Sequence, residues 1–119
     1  MKYLILMRGP AEDGQPPSTP DDLSEPESME ELDTWFEEVN RRGSWLVGER
    51  LRPDTEGKRV QLRGRHVRVT DGPFAEAKEH IGGFDVLECT SLEEAIEVAS
   101  KHPFAAVGTI EVREAWPFD

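Results

Sequence analysis

Gly83-Phe84-Asp85-Val86-Leu87-Glu88-Cys89, followed by Ser91-Leu92-Glu93-Glu94-Ala95-Ile96-Glu97-Val98-Ala99, reads as a strand running straight into a helix. Phe84 and Val86 fall on one side of a pleated chain and Leu87 on the other, the period of a strand. Ser91 and Glu94 have capping-box spacing, so the helix is expected to start there. Leu92, Ala95, Ile96 and Ala99 then recur at helical intervals and form one apolar stripe. His102-Pro103 ends the helix, because the residue before a proline is driven out of helical geometry. Residues 107–114 follow as a strand, with Ile110 and Val112 inward and Thr109, Glu111 and Arg113 outward.

The same strand-helix-strand order stands upstream. Residues 2–8 are apolar on both faces (Tyr3, Ile5 and Met7; Leu4 and Leu6), which suits a central strand covered on both sides. Ser28 and Glu31 repeat the capping-box spacing, and Met29, Leu32, Trp35, Phe36 and Val39 make a helical stripe. Arg41 and Arg42 complement the carbonyl end of that helix, and Gly43 stops it. Trp45, Val47, Glu49 and Leu51 alternate with Leu46, Gly48 and Arg50 in a strand that ends by Pro53. A hairpin follows: with Gly64-Arg65 as a two-residue turn, Leu62 faces Val67 and Val60 faces Val69. Gln61, Arg63, His66 and Arg68 share its polar face.

Right-handed crossovers in a β-α-β, hairpin, β-α-β order place the first and third main strands at the centre of an antiparallel sheet, with both helices on one face. The expected fold is thus a ferredoxin-like α+β sandwich. Its 119 residues make a single domain, residues 1–119, with a proline- and glycine-rich loop expected at 9–26. The other sheet face keeps apolar residues, which implies a second copy of the chain packed against it, a homodimer.

The net charge of −11 is uneven. Residues 9–40 hold eleven acids and no Lys or Arg, whereas residues 41–78 hold ten Lys or Arg against five acids. A solvated acidic helix beside a basic hairpin accounts for this, and so does a positive pocket wall for an anionic small molecule. Overall acidity opposes nucleic acid, and no binding motif for it is present. The apolar run at residues 3–7 is too short for a membrane span or a signal peptide, so a cytoplasmic protein is expected. Cys89, the single cysteine, excludes an intramolecular disulfide and reads as a buried thiol. No metal-ligand cluster, phosphate loop or nucleophile motif appears, so neither metal nor cofactor is expected.

The joint between hairpin and third strand, Thr70 to Phe84, carries more chemistry than a connector needs. Asp71 is a candidate general base, or an acceptor for the turn amides around Gly72. Gly72 and Pro73 shape the corner, and Phe74 is a core plug or a stacking ring. Glu76 and His80 share a face if the segment makes a helical turn, but two ligands do not define a metal site. Lys78 is a candidate anion anchor. Glu49, a carboxylate in an apolar strand, is the second candidate acid-base group. Arg50 is a candidate clamp for a carboxylate or phenolate.

Asp71-Gly72-Pro73-Phe74, with Glu76, Lys78-Glu79 and Gly82-Gly83 at these offsets, resembles the DGPF-domain family of the YCII-related superfamily. Lys2-Tyr3, Gly48-Glu49-Arg50-Leu51 and Ile110-Glu111-Val112-Arg113 fit the same pattern, so the resemblance spans nearly the whole chain. It implies a dimeric α/β barrel of bacterial type, in which two sheets pack face to face. It also implies kinship with proteins that use a His-Asp pair, the histidine on the first helix. Residues 1–65 contain no histidine, which leaves Asp71 as the counterpart expected from that resemblance.

Two functions follow. One is a small-molecule enzyme or binder with its pocket between the sheet and the DGPF loop, doing lyase- or isomerase-like acid-base chemistry on a small aromatic or anionic compound. There Asp71 and Glu49 handle protons, and Arg50 or Lys78 holds the ligand. The other is a noncatalytic regulatory protein, its acidic helix the contact surface for a protein partner; its association with a sigma-factor system is what the resemblance implies.

Overall fold

The computed structural model describes residues 1–10, 26–72 and 79–118. Its elements run β1 (Lys2–Pro10), α1 (Pro26–Arg41), β2 (Trp45–Arg50), β3 (Lys58–Arg63), β4 (His66–Asp71), β5 (Glu79–Glu88), α2 (Leu92–Ser100) and β6 (Thr109–Glu114). Four strands form one antiparallel sheet in the order β2-β5-β1-β6, while β3 and β4 pair as a separate two-stranded sheet. The first and third main strands are therefore central, as the crossover argument requires. Among the described residues no helix is long and apolar enough to cross a membrane.

The core lies between this sheet and the helices. Tyr3 and Ile5 of β1 and Leu87 of β5 meet Trp35 and Val39 of α1 and Ala95, Val98 and Ala99 of α2. Dispersion and the release of water from these apolar surfaces hold the layers together. A hydrogen bond locks the two helices as well, since Trp35 Nε1 donates to the Val98 carbonyl at 2.9 Å. Cys89 belongs to the same cluster, and burial pushes its thiol up from its ordinary range.

Local chemistry explains the element boundaries. The α1 helix ends in a Schellman motif, with Gly43 at φ +70° and hydrogen bonds from Gly43 N–H to Asn40 and from Ser44 N–H to Val39. At the start of α2, Ser91 Oγ accepts from Glu94 N–H at 3.1 Å, the first half of the expected capping box. Glu94 does not complete it with a backbone bond; its carboxylate accepts from Thr90 Oγ1 at 2.8 Å. The hairpin register is Val60 opposite Val69 and Leu62 opposite Val67, closed by Gly64 at φ +63°. That agrees with the pairing expected from sequence.

Two expectations need correction. The buried stripe of α2 is Ala95, Val98 and Ala99, whereas Leu92 and Ile96 are exposed, so the helix is rotated toward its small residues. Close approach to the sheet favours alanines over long side chains at the contact. In β2 the simple alternation breaks, because Trp45 pairs with Leu87 but Val47 pairs with Val86. An extra residue in β2 at this bulge changes the phase, so that Gly48, rather than Val47, follows Trp45 on the helix-facing side. The loop expected at 9–26 falls outside the described residues except at its ends, Gly9 and Pro10 in β1 and Pro26 in α1.

Candidate functional site

The bulge in β2 and the phase of β5 together build the site. Along β5, Gly83, Asp85 and Leu87 point to the helices and Phe84 and Val86 to the opposite face, as burial and register both show. An aspartate thus occupies a core position, with Ile5 beside it on β1 and Gly48 beside it on β2. Asp85 is only 3 % exposed. Glycine at 48 is what makes room: a Cβ there would lie 1.9 Å from Asp85 Oδ1 and 2.9 Å from the Phe84 carbonyl oxygen. This is close approach of a side chain to a strand backbone, one of the few reasons for glycine inside a strand.

Asp85 Oδ1 accepts a hydrogen bond from Trp45 Nε1 at 2.8 Å. Trp45 is itself fixed edge-on against Phe36 of α1, with ring centroids 5.6 Å apart. Burial raises the Asp85 carboxyl from 3.8 to about 6, and the indole hydrogen bond only partly opposes that rise.

Asp85 opens on a cavity of about 420 Å³ between α1, β2, β5 and the end of α2. Met7, Met29, Leu32 and Phe36 supply apolar wall, and His102 supplies the second buried polar group. A mostly apolar cleft of this volume, with a few convergent polar atoms, has the character of a small-ligand site. His102 terminates α2 and caps the 3₁₀ turn Pro103–Ala106, its ring edge-on to Trp35 at 4.6 Å. Burial lowers its pKa from 6.5 to about 4, so it is neutral at physiological pH.

The residues singled out from sequence divide between places. Glu49 and Arg50 line this cavity at the β2 edge of the sheet, both exposed. Asp71 ends β4 in the separate hairpin, where its side chain is 75 % exposed and paired with Lys58; it is not among the residues lining the cavity. Gly72 follows it, its N–H bonded to the Gly57 carbonyl at 3.0 Å. Pro73, Phe74, Glu76 and Lys78 lie outside the described residues. Asp85 and His102 were not singled out. The signal for Asp85 was an acid in phase with Leu87 on a strand side that faces the helices, and the signal for Gly48 was a glycine inside a strand. His102 carries no comparable local signal, because only the tertiary fold brings the end of α2 to the β2–β5 edge.

A second, larger cavity of about 480 Å³ runs between the helices over Trp35, Val39 and Val98. On its charged rim Glu38 pairs with Arg41 and Arg42, and Arg42 also reaches Glu97. It lacks a buried ionisable group, so the Asp85 cavity is the stronger candidate. Among the described residues no cluster of three His, Cys, Asp or Glu could hold a metal ion.

Comparison with known proteins agrees with this architecture. Over 66 residues the chain is 39% identical to Uncharacterized protein R00369 of Rhizobium meliloti (strain 1021), a match that covers 54% of this chain and 53% of that protein. The chain thus spans about half the length of the curated relative it matches. Its structure is similar to that of 5-chloro-2-hydroxyhydroquinone dehydrochlorinase (TftG) from Burkholderia phenoliruptrix AC1100, solved in complex with 2,5-dihydroxybenzoquinone. That likeness has a TM-score of 0.52 at 18% identity and covers 100% of this chain and 96% of the other, which establishes the ferredoxin-like α+β fold. The model of the YCII-related domain matches residues 1–119, and the chain belongs to that family.

Proposed function

We propose that this protein is a small-molecule enzyme or binder working through the Asp85 cavity, with acid-base chemistry of the lyase or isomerase kind on a small aromatic or anionic compound. The observation that carries this reading is a buried carboxyl, kept in place by a glycine and an indole, at the wall of an apolar cleft. With its pKa near 6, Asp85 is mostly ionised at neutral pH yet takes up a proton readily, the property a general base needs. The substrate named for the structurally similar dehydrochlorinase, a substituted hydroquinone, is of a size and polarity compatible with the cleft. Glu49 and Arg50, at the cavity edge, are proposed as a second proton-transfer group and an anion clamp. Asp71, paired with Lys58 at the hairpin end, is proposed to stand outside the proton transfer, and Phe74, Glu76 and Lys78 are kept as proposed binding residues.

A thermal-shift screen of small phenols, aromatic acids and lactones tests this. The expected result is a hit that Asp85→Asn abolishes while the variant still melts cooperatively. Hits that survive Asp85→Asn unchanged would refute the cavity as the site.

The dimer is part of the proposal. Leu4, Leu6, Phe84 and Val86 leave the helix-free sheet face only half-covered, and Val60, Leu62, Val67 and Val69 of the hairpin are 60–69 % exposed. A second copy on these surfaces would bury them, and light scattering at micromolar concentration distinguishes dimer from monomer.

The alternative, a regulatory interaction protein, draws on the exposed acids Glu30, Glu31, Asp33 and Glu37 of α1. It predicts partner capture lost on charge reversal there and indifferent to Asp85→Asn.

A further inference from the structure

His102 is 4 % exposed, and its Nδ1 accepts the Phe104 backbone N–H at 3.0 Å. A neutral imidazole whose Nδ1 is an acceptor carries its proton on Nε2, so the local chain fixes the tautomer. Among the described residues Nε2–H has no protein acceptor, and Asp85 has no protein donor beyond Trp45 Nε1. No hydrogen bond or ion pair joins the two side chains, although both line the same cavity. Buried polar atoms are almost always paired, so a donor N–H without a protein acceptor and a carboxylate with a single protein donor, in one cleft, call for a partner that serves both.

We propose that His102 is a fixed hydrogen-bond donor to the ligand, and that the cavity selects small ring compounds bearing both a carbonyl or oxyanion acceptor and an acidic O–H or C–H. The inference rests on the Asp85 reading and extends it by naming the ligand's polar pattern. Asp85 receives the ligand's proton, and His102 Nε2–H holds the oxygen on which negative charge collects. The apolar stretch of Met7, Leu32 and Phe36 receives the ring. His102 is then a binding group of one constant polarity, not a proton carrier. A ligand without an acceptor strands a buried N–H, which costs binding about 10-fold or more.

Full-length protein titrated calorimetrically with 4-hydroxyacetophenone and 4-ethylphenol tests this contact; the carbonyl also makes the phenol more acidic, and the His102 variants separate the two effects. Wild type is expected to prefer the ketone about 10-fold or more. His102→Asn keeps a side-chain oxygen for the Phe104 N–H and draws its amide N–H back from the former Nε2 position, so it is expected to fold and to lose most of the preference. His102→Gln places an amide N–H near the former Nε2 and is expected to restore part of it. Long-range nitrogen–proton NMR of His102 in unliganded wild type is expected to show the Nε2–H tautomer, a readout that needs no ligand and no variant. An Nδ1–H tautomer, equal binding of the two compounds by wild type, or an undiminished preference in His102→Asn each overturns the proposal while leaving Asp85 as the site. Binding of neither compound, together with no hit in the wider screen, overturns the Asp85 reading and this one with it.

Discussion

Asp71 ends β4 and Asp85 lies within β5, the next strand, and the two live in opposite environments. Asp71 closes a hairpin whose residues are exposed on both faces, and it pairs with Lys58 in water. Asp85 sits in the middle of the four-stranded sheet, beside Ile5 and Gly48, with an indole N–H as its one protein donor among the described residues. The first carboxylate is solvated and screened by salt; the second is desolvated and shifted to about 6. The difference shows that an aspartate in a conspicuous motif and a desolvated aspartate need not be the same residue. Motif residues can shape a turn, while a single acid at the wrong phase of a strand acquires the altered chemistry.

The sharpest test of that contrast is Asp85→Asn. Asparagine can still accept the Trp45 N–H but cannot take up a proton, so turnover supported by the cavity is expected to fall about 10²–10⁴-fold, the usual contribution of a positioned base. Kinetics on a substrate found by screening would measure it, and an Asp85→Asn enzyme with wild-type kcat would place the chemistry elsewhere.

Next in size is the pH dependence of stability. For Asp85 the folded pKa lies above the unfolded value, so its contribution is present below about pH 4 and is lost as pH rises to about 6. His102 runs the other way: its folded pKa lies below 6.5, so its contribution is present above that pH and is lost as pH falls to about 4. Each shift corresponds to roughly 3 kcal/mol, and the two slopes oppose each other across nearly the same window. Wild type should therefore show a nearly flat contribution from this pair between about pH 4 and 6.5. Asp85→Asn removes the falling limb, and its stability should climb by about 3 kcal/mol over that range relative to wild type. Urea titrations at a series of pH values would show it. The same variant should be more stable than wild type at neutral pH, the signature of a charge retained at a cost to the fold.

Gly48→Ala comes third. The new Cβ would overlap Asp85 Oδ1 and crowd the Phe84 carbonyl, so either the carboxylate swings off Trp45 or the two strands separate. A loss of about 1–3 kcal/mol is expected, as for other overpacked sites, together with loss of ligand binding. Chemical denaturation and the thermal-shift assay check the two halves. Rescue of binding by Gly48→Ala/Asp85→Asn would contradict the role given to the carboxylate, whereas rescue of stability alone would support it.

Much of this fold was legible in the sequence because each element carries its own signal. The Gly43 stop, the Ser91 cap, the Val60–Val69 register and the inward Ile110 and Val112 are decided within a few residues of themselves, and the structure has them as expected. The site was only half legible. Glu49 and Arg50 were visible as charges in an apolar strand, and both line the cavity. The bulge that turns Gly48 inward depends on pairing with β5, and the seat of His102 depends on packing against Trp35. Neither is a property of local sequence, so the second buried polar group of the cavity could not be found by scanning for motifs or for a histidine on the first helix.

The smallest effect belongs to Asp71. Its pair with Lys58 is solvent-exposed on a two-stranded ribbon, and such pairs contribute roughly 0–1 kcal/mol. Asp71→Asn keeps the side chain's shape and removes only the charge, so stability should change by no more than about 0.5 kcal/mol and ligand-induced thermal shifts should be preserved. The measurement bears directly on the contrast between the two aspartates. If Asp71→Asn and Asp85→Asn abolish the same thermal shift, the hairpin end and the sheet cavity belong to one site, and the motif joins the buried acid in holding the ligand. If only Asp85→Asn does so, the motif is a corner of the fold, and the chemistry lies one strand further on, where the backbone of Gly48 leaves room for a carboxylate.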